Sequence, residues 1–349
     1  MTVFIGILAF FLILSVLVMV HELGHFTCAK LMGVRVEEFG LGFPPRVKGW
    51  RRGGTLYSLN ALPLGGFVRM VGENGEQDAP DSFGSHPAWQ RFIILVAGPT
   101  MNILLAVAIF FFIFLHGMPR QLNTVTKVVA GSPAAHAGLM AGDTIVAIDG
   151  VHVHYRDDLG TQVDKHIGEV VAVQVQRRSD RVTAMVLARS HPPRNQGSFG
   201  IELGKMTTMH YSPIQSAGQA VGVVGTMVST IPQIFGHLLS SNHNNGVVGP
   251  IGIARVTTDT VSQEPQNGPS TLLALMALLS ANLGVLNLLP FPALDGGRIV
   301  FVAVSAVRRR NLDPQVEGAI HAIGMAVLLL FILLISYNDI LHWLTGGNT

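Results

Sequence analysis

Apolar positions in this chain fall into long unbroken blocks separated by stretches of mixed or alternating character. Four blocks, Val3–Leu31, Phe92–His116, Thr271–Val307 and Val316–Ile340, reach or exceed the roughly 20 residues needed to cross about 30 Å of hydrocarbon. The third is too long for one plain helix and is interrupted by Pro290 and Pro292, so it predicts a broken helix over 271–307. The segment Gly117–Ser270 has a different texture, with alternating Val and Ile, Gly-Asp turns and scattered charge. Within it, Thr144–Ile148 between the turn signals Gly142-Asp143 and Asp149-Gly150 reads as a strand, as does Val171–Val175. Residues 119–206 are therefore expected to form a small β-rich module. Ser212–Ser241 has no Lys, Arg, Asp or Glu, yet Gln215, Ser216, Gln219, Ser229, Gln233 and His237 interrupt it. It reads as an amphipathic helix lying on the outer membrane face, part of a juxtamembrane segment over 207–270. In the loop 35–91, Glu37–Val47, Thr55–Leu59 and Gly66–Val71 read as strands of a hairpin region.

Composition agrees with a membrane protein, since only 13% of the 349 residues are charged and 49% are hydrophobic, against roughly 25% charged in soluble domains. A net charge of +2 implies no nucleic-acid partner; the bilayer is the expected one. The loop after the first block holds Lys30, Arg35, Arg46, Lys48, Arg51, Arg52, Arg69 and Arg91, and the third inter-block loop holds Arg298 and Arg308 to Arg310. Neither end of the chain carries Lys or Arg over 1–20 or 341–349. The basic loops are expected on the cytoplasmic side, and both termini and the 119–206 module outside. The expected fold is mainly α-helical and polytopic: four transmembrane helices, a cytoplasmic-side β-hairpin region and an inserted extracytoplasmic β-rich domain. The first block lacks a basic leader and a small-residue cleavage site, so it is expected to be retained as a span, 1–34, and not removed as a signal peptide. The single cysteine, Cys28, reads as a packed thiol pointing away from the histidine face described next.

His21-Glu22-Leu23-Gly24-His25 follows the first apolar run without an intervening loop. Histidines four apart share one helix face and can bind one metal ion, with a glutamate beside them as general base. Lys30 marks an interface nine residues on, which places His21 roughly 13 Å into the membrane at about 1.5 Å per residue. Ionisable groups at such depth are costly unless they serve a function. A catalytic zinc needs a third protein ligand. Asp295 is the candidate: it is acidic, lies inside the third apolar block, and stands between the Pro290/Pro292 break and Gly296-Gly297. A cap or turn role for Asp295 is the competing reading, and the buried histidine pair favours ligation. Asn287 either donates a hydrogen bond to substrate backbone or developing oxyanion, as a catalytic group, or bridges helices at the break. Asn102, in Gly98-Pro99-Thr100-Met101-Asn102, has the same two readings with packing favoured. His152 and His154 alternate on a strand without a third ligand, and His86, His116, His210, His237, His243, His321 and His342 lack partners at ligand spacing.

Together these motifs resemble the bacterial site-2 proteases, intramembrane zinc metalloproteases, and in particular the branch that cleaves membrane-anchored anti-sigma factors. His21 to His25 match that family's first motif, and Asn287 through Gly296 match its Asn-x-x-Pro-x-Pro-x-Leu-Asp-Gly motif. Gly98-Pro99-x-x-Asn102 and Pro63-Leu64-Gly65-Gly66-Phe67-Val68-x-Met70-x-Gly72-Glu73 are also similar. The resemblance implies that His21, His25 and Asp295 bind Zn2+ and that Glu22 is the catalytic glutamate. It implies a hairpin near the active site whose edge holds unwound substrate, and residence in the cytoplasmic (inner) membrane. Gly131 to Gly150 resemble a PDZ domain, a module that binds extended peptides by strand addition; only one repeat fits between 119 and 206. Implied substrates are single-pass membrane proteins already trimmed by an upstream site-1-type protease, such as anti-sigma factors, or remnant signal peptides. A non-catalytic adaptor that holds clients through the outward domain is the alternative, but such a relative would be expected to lose Glu22 or a ligand. A metal transporter would spread its ionisable residues along a path.

Overall fold

A computed structural model of the protein describes residues 2–73, 79–193, 196–204, 206–239, 249–267, 270–310 and 313–344. It divides into two compact units, Met1–Leu115 with Ser212–Thr349, and His116–Tyr211. The first unit begins with α1 (Thr2–Met32), two long strands β1 (Val36–Arg52) and β2 (Thr55–Met70), and α2 (Ala88–His116). The second holds β3 (Met118–Gln121), β4 (Val125–Val128), α3 (Pro133–His136), β5 (Thr144–Ile148), β6 (Val151–His152), α4 (Arg156–Lys165), β7 (Val170–Arg177), β8 (Asp180–Leu187), β9 (Ile201–Leu203) and β10 (Met206–Met209). The first unit resumes with α5 (Pro213–Leu239), α6 (Pro250–Asn267), α7 (Ser270–Asn287), α8 (Asp295–Arg308) and α9 (Pro314–Leu344).

Among the described residues four helices, α1, α2, α7 and α9, are long and apolar enough to cross a membrane. Phe4, Leu8 and Leu12 of α1 and Ile323, Leu330 and Leu334 of α9 are exposed on the protein surface. Helices apolar on all sides are stable in that state against lipid. The third apolar block is one crossing helix, α7, followed by a loop over 288–294 and then α8. With 14 residues α8 spans about 21 Å, short of the hydrocarbon thickness. Among the described residues of 207–270, α5 covers the helix expected over 212–241 and falls outside the four candidate spans, and a second helix, α6, whose mixed polar sequence gave no helical signal, packs along α1. Gly6 permits this contact, because a Cβ there would lie 2.5 Å from Thr258 Oγ1.

β1 and β2 are longer than the short strands expected and fold back on themselves. Residues 36–41 pair with both 55–59 and 66–70, while 46–52 pair with 55–60 on the other side. The result is a four-segment antiparallel sheet in the order 46–52, 55–60, 36–41, 66–70, with 66–70 at an edge. β2 turns at Gly65, where φ is +73° and the missing Cβ would lie 2.9 Å from Val18 Cγ1 on α1; both features require glycine. Phe26 of α1 anchors the sheet against Phe39 and Tyr57, at ring separations of 5.0 and 6.0 Å.

The second unit is built on a four-stranded antiparallel sheet in the order β6-β5-β7-β8. The alternation of β7 places Val171, Val173 and Val175 in a core with Ile145, Ile148 and Val186. Asp143, at the turn into β5, is buried and accepts two hydrogen bonds from the Arg177 guanidinium, both 2.7 Å.

Candidate metal centre

Helical spacing on α1 stacks His21 and His25 one turn apart, and both are buried, 7% and 6% exposed. Their Nε2 atoms lie 3.1 Å apart. Asp295, the first residue of α8, brings Oδ2 to 3.0 Å from His21 Nε2 and 3.4 Å from His25 Nε2. All three donor atoms fall within 4.8 Å of one another, the one such group among the described residues. Asp295 thus occupies the first turn of α8, where negative charge is favoured, with Leu294 in the cap position and no side-chain cap hydrogen bond, and its carboxylate faces the histidine pair. Its Oδ2 is buried and makes no hydrogen bond among the described residues. A buried, unsatisfied carboxylate oxygen against two imidazole nitrogens is unfavourable by itself, and a cation relieves it. The donor set, two imidazoles and a carboxylate, fits a zinc site that leaves a position open for water.

The outer nitrogens of both rings are engaged. His25 Nδ1 lies 2.8 Å from the Ile94 carbonyl of α2, which accepts its hydrogen and leaves Nε2 free for a metal. His21 Nδ1 faces the Asn102 side chain, with Nδ2 at 3.4 Å, while Asn102 Oδ1 is buried without a hydrogen-bond partner among the described residues. Turning that amide over places Oδ1 where His21 Nδ1–H can donate to it, which satisfies the orphaned oxygen and frees His21 Nε2. Asn102 therefore reaches across from α2 to a candidate ligand on α1, an interhelical contact of the kind its sequence reading favoured.

Glu22 lies beside the pair on a cavity of about 200 Å3 that it lines with His25, Val68, Asp295 and Arg298. Its Oε2 accepts a hydrogen bond from Val68 N at 3.0 Å, so Glu22 is tied to the edge segment 66–70 of the sheet. Glu73 accepts from Met70 N on the same edge, at 3.3 Å, and pairs with Arg298 of α8. Asn287 stands half-buried at the end of α7 and is not among the residues lining this cavity. Cys28 packs with Phe26 and Met32 against the cluster around Val34 and Leu95. His152 and His154 are exposed.

The profile of Peptidase family M50 matches residues 9–331. The chain belongs to that family. Peptidase family M50 is the site-2 protease family, so the resemblance carried by the His21–His25 and Asn287–Gly296 motifs holds. The zinc metalloprotease RasP of Shouchella clausii is 30% identical over 418 residues, covering 96% of this chain and 98% of that one. Metalloprotease MmpA of Caulobacter vibrioides is 30% identical over 371 residues, 94% and 93% of the two chains. As an M50 peptidase the protein is a zinc metalloprotease with Zn2+ as its cofactor, and its four apolar helices make it a multi-pass membrane protein.

Proposed function

We propose that this M50 peptidase hydrolyses peptide bonds of single-pass membrane proteins within or near the bilayer, in regulated intramembrane proteolysis. The observation that carries the reading is the convergence of His21, His25 and Asp295, with His25, Asp295 and Glu22 lining one cavity, on and against an apolar helix. His21, His25 and Asp295 would hold the zinc. When bound, zinc supplies Lewis acidity toward a carbonyl oxygen and water. Glu22 is the general base: Val68 N–H holds its Oε2, which leaves Oε1 to take a proton from the attacking water and return it to the leaving amine. The Asn102 and Ile94 contacts hold the two imidazoles in the tautomer that presents Nε2. Asn287, at the end of α7 and off the cavity wall, serves better to hold the helix break than to touch substrate.

A helical substrate hides its peptide bonds in intrahelical hydrogen bonds, so it must unwind before attack. Segment 66–70 forms a sheet edge on the cavity, and an extended substrate strand laid along it would meet Glu22, which with Glu73 holds the edge amides of Val68 and Met70. The His116–Tyr211 unit is a PDZ-like module outside the membrane that binds or filters substrates already trimmed by an upstream protease. Anti-sigma factors and remnant signal peptides are the substrate classes that fit. The basic loops support a hairpin on the cytoplasmic side of the inner membrane with both termini outside. The test is cleavage of a single-span substrate in detergent by wild type and Glu22→Gln, with the cut mapped by mass spectrometry. The reading expects a cut in the cytoplasmic half of the substrate helix, absent from the variant; a cut in the outer third contradicts it.

A further inference from the structure

The loop over 288–294 that delivers Asp295 makes turn hydrogen bonds of its own, Phe291 N to Leu289 O at 2.7 Å and Leu294 N to Phe291 O at 3.1 Å, but the amide of Ala293 is held from outside it. Ala293, two residues before Asp295, has φ +81°, a left-handed conformation that residues with a Cβ adopt rarely. Its amide hydrogen goes to a side chain 28 residues away: Ala293 N donates to His321 Nδ1 on α9, at 3.0 Å. The His321 ring is fixed in turn by an edge contact with Phe301 of α8, at 5.2 Å and 71°. One turn further along α9, Gly324 lies so close to Pro292 that a Cβ there would meet Pro292 Cβ at 2.3 Å. Two adjacent points of α9 therefore grip two adjacent residues of the loop.

We propose that His321 is a positioning residue for the metal centre. By accepting the Ala293 amide it holds that residue in its left-handed geometry, and so aims Asp295 at His21 and His25. The proposal rests on Asp295 being a zinc ligand. With Nδ1 accepting, the ring proton sits on Nε2, which is buried without a hydrogen-bond partner among the described residues, Glu317 Oε1 being 4.0 Å away. In sequence His321 had no partner because its partner is a backbone amide.

The test uses the intact protein in detergent and compares wild type with His321→Phe, Ala293→Gly, the double variant and Asp295→Ala. Phenylalanine keeps ring bulk against Phe301 and removes the acceptor. Two quantities are read: zinc affinity by competition with a chelator, and hydrogen exchange of the peptide containing Ala293. His321→Phe is expected to lose protection at Ala293 and to hold zinc about 10–100-fold more weakly, the usual effect of losing a group that orients a ligand. Ala293→Gly alone should stay near wild type. In the double variant it should recover much of the lost affinity, because glycine adopts positive φ without help. Zinc affinity in His321→Phe within about twofold of wild type, while Asp295→Ala releases zinc, overturns the proposal. A loss that Ala293→Gly does not repair also overturns it, since the histidine would then serve general packing. Retention of zinc by Asp295→Ala overturns the ligand assignment, and this proposal with it.

Discussion

Gly98→Ala is the smallest change that should disable the metal centre without replacing a ligand. An ideal Cβ at Gly98 lies 2.3 Å from His25 Nε2, 2.6 Å from Cε1 and 2.8 Å from Cδ2. Ordinary contacts begin near about 3.5 Å, so the imidazole has to retreat by roughly 1 Å or α2 has to move away. Neither is cheap. The ring is tied to α2 by its hydrogen bond to Ile94 O, and the helices already touch backbone to backbone, since a Cβ on Gly24 would meet Ala97 O at 2.4 Å. Metal–ligand distances tolerate about 0.2 Å, so a displacement near 1 Å removes His25 from the donor set. Overpacking of this kind costs about 1–3 kcal/mol. If most of it falls on the metal-bound state, zinc binds roughly 10–100-fold more weakly, at about 1.4 kcal/mol per decade. Alanine is a better helix former than glycine by about 1 kcal/mol, so the variant is expected to fold. Gly222→Ala on α5, where no atom lies within 4 Å of the new Cβ, is the matched control. Zinc affinity by chelator competition and cleavage of a single-span substrate are the assays. Gly98→Ala holding zinc within about twofold of the control would refute the reasoning, because it would show that the tight α1–α2 contact does not set the position of His25.

Three further outcomes are expected. Asn102→Leu should weaken zinc binding about 10–100-fold, while Asn102→Asp, which keeps an acceptor for His21 Nδ1, should retain most of the affinity; equal losses would argue against the hydrogen bond. Gly65→Ala puts a Cβ at positive φ and 2.9 Å from Val18, so protection of the 66–70 edge in hydrogen exchange should fall; unchanged protection would separate that turn from the edge. In the His116–Tyr211 unit, the hydrogen bonds from Arg177 hold the Asp143 carboxyl below the usual carboxylate range. A depressed native value means that this stabilisation is present above about pH 4 and is lost as pH falls through that lower value. Hydrogen exchange of β5 and β7 should therefore accelerate in acid in wild type. Arg177→Met, which removes those hydrogen bonds, should exchange faster at neutral pH and respond less to acid.

What could be read from the sequence was what depends on local spacing. His21 and His25 were legible because a four-residue interval has one meaning on a helix, and Asp295 because a charge inside an apolar block needs a reason. The blocks themselves gave the four crossing helices. The supports of the site were not legible, since they are long-range and made largely by backbone: His25 to Ile94 O, Glu22 to Val68 N, and His321 to Ala293 N. Periodicity carries no trace of a partner 28, 46 or 69 residues away. The doubling of β1 over β2 was hidden for a related reason, because the bend at Gly65 depends on Val18 of α1 as well as on the strand. Asp143 read as a turn residue, and it is one, but its buried pairing with Arg177 spans 34 positions.

The central claim is that His21, His25 and Asp295 bind the metal while Glu22 does the proton chemistry. Measuring zinc content and cleavage together on wild type, Glu22→Gln, His21→Ala and Asp295→Ala separates the two roles most directly. The account predicts about one zinc per chain in wild type and in Glu22→Gln, little in the other two, and cleavage by wild type alone, with Glu22→Gln slower by about 100-fold or more. Cleavage by Glu22→Gln at the wild-type rate, or full zinc content in Asp295→Ala, would contradict it.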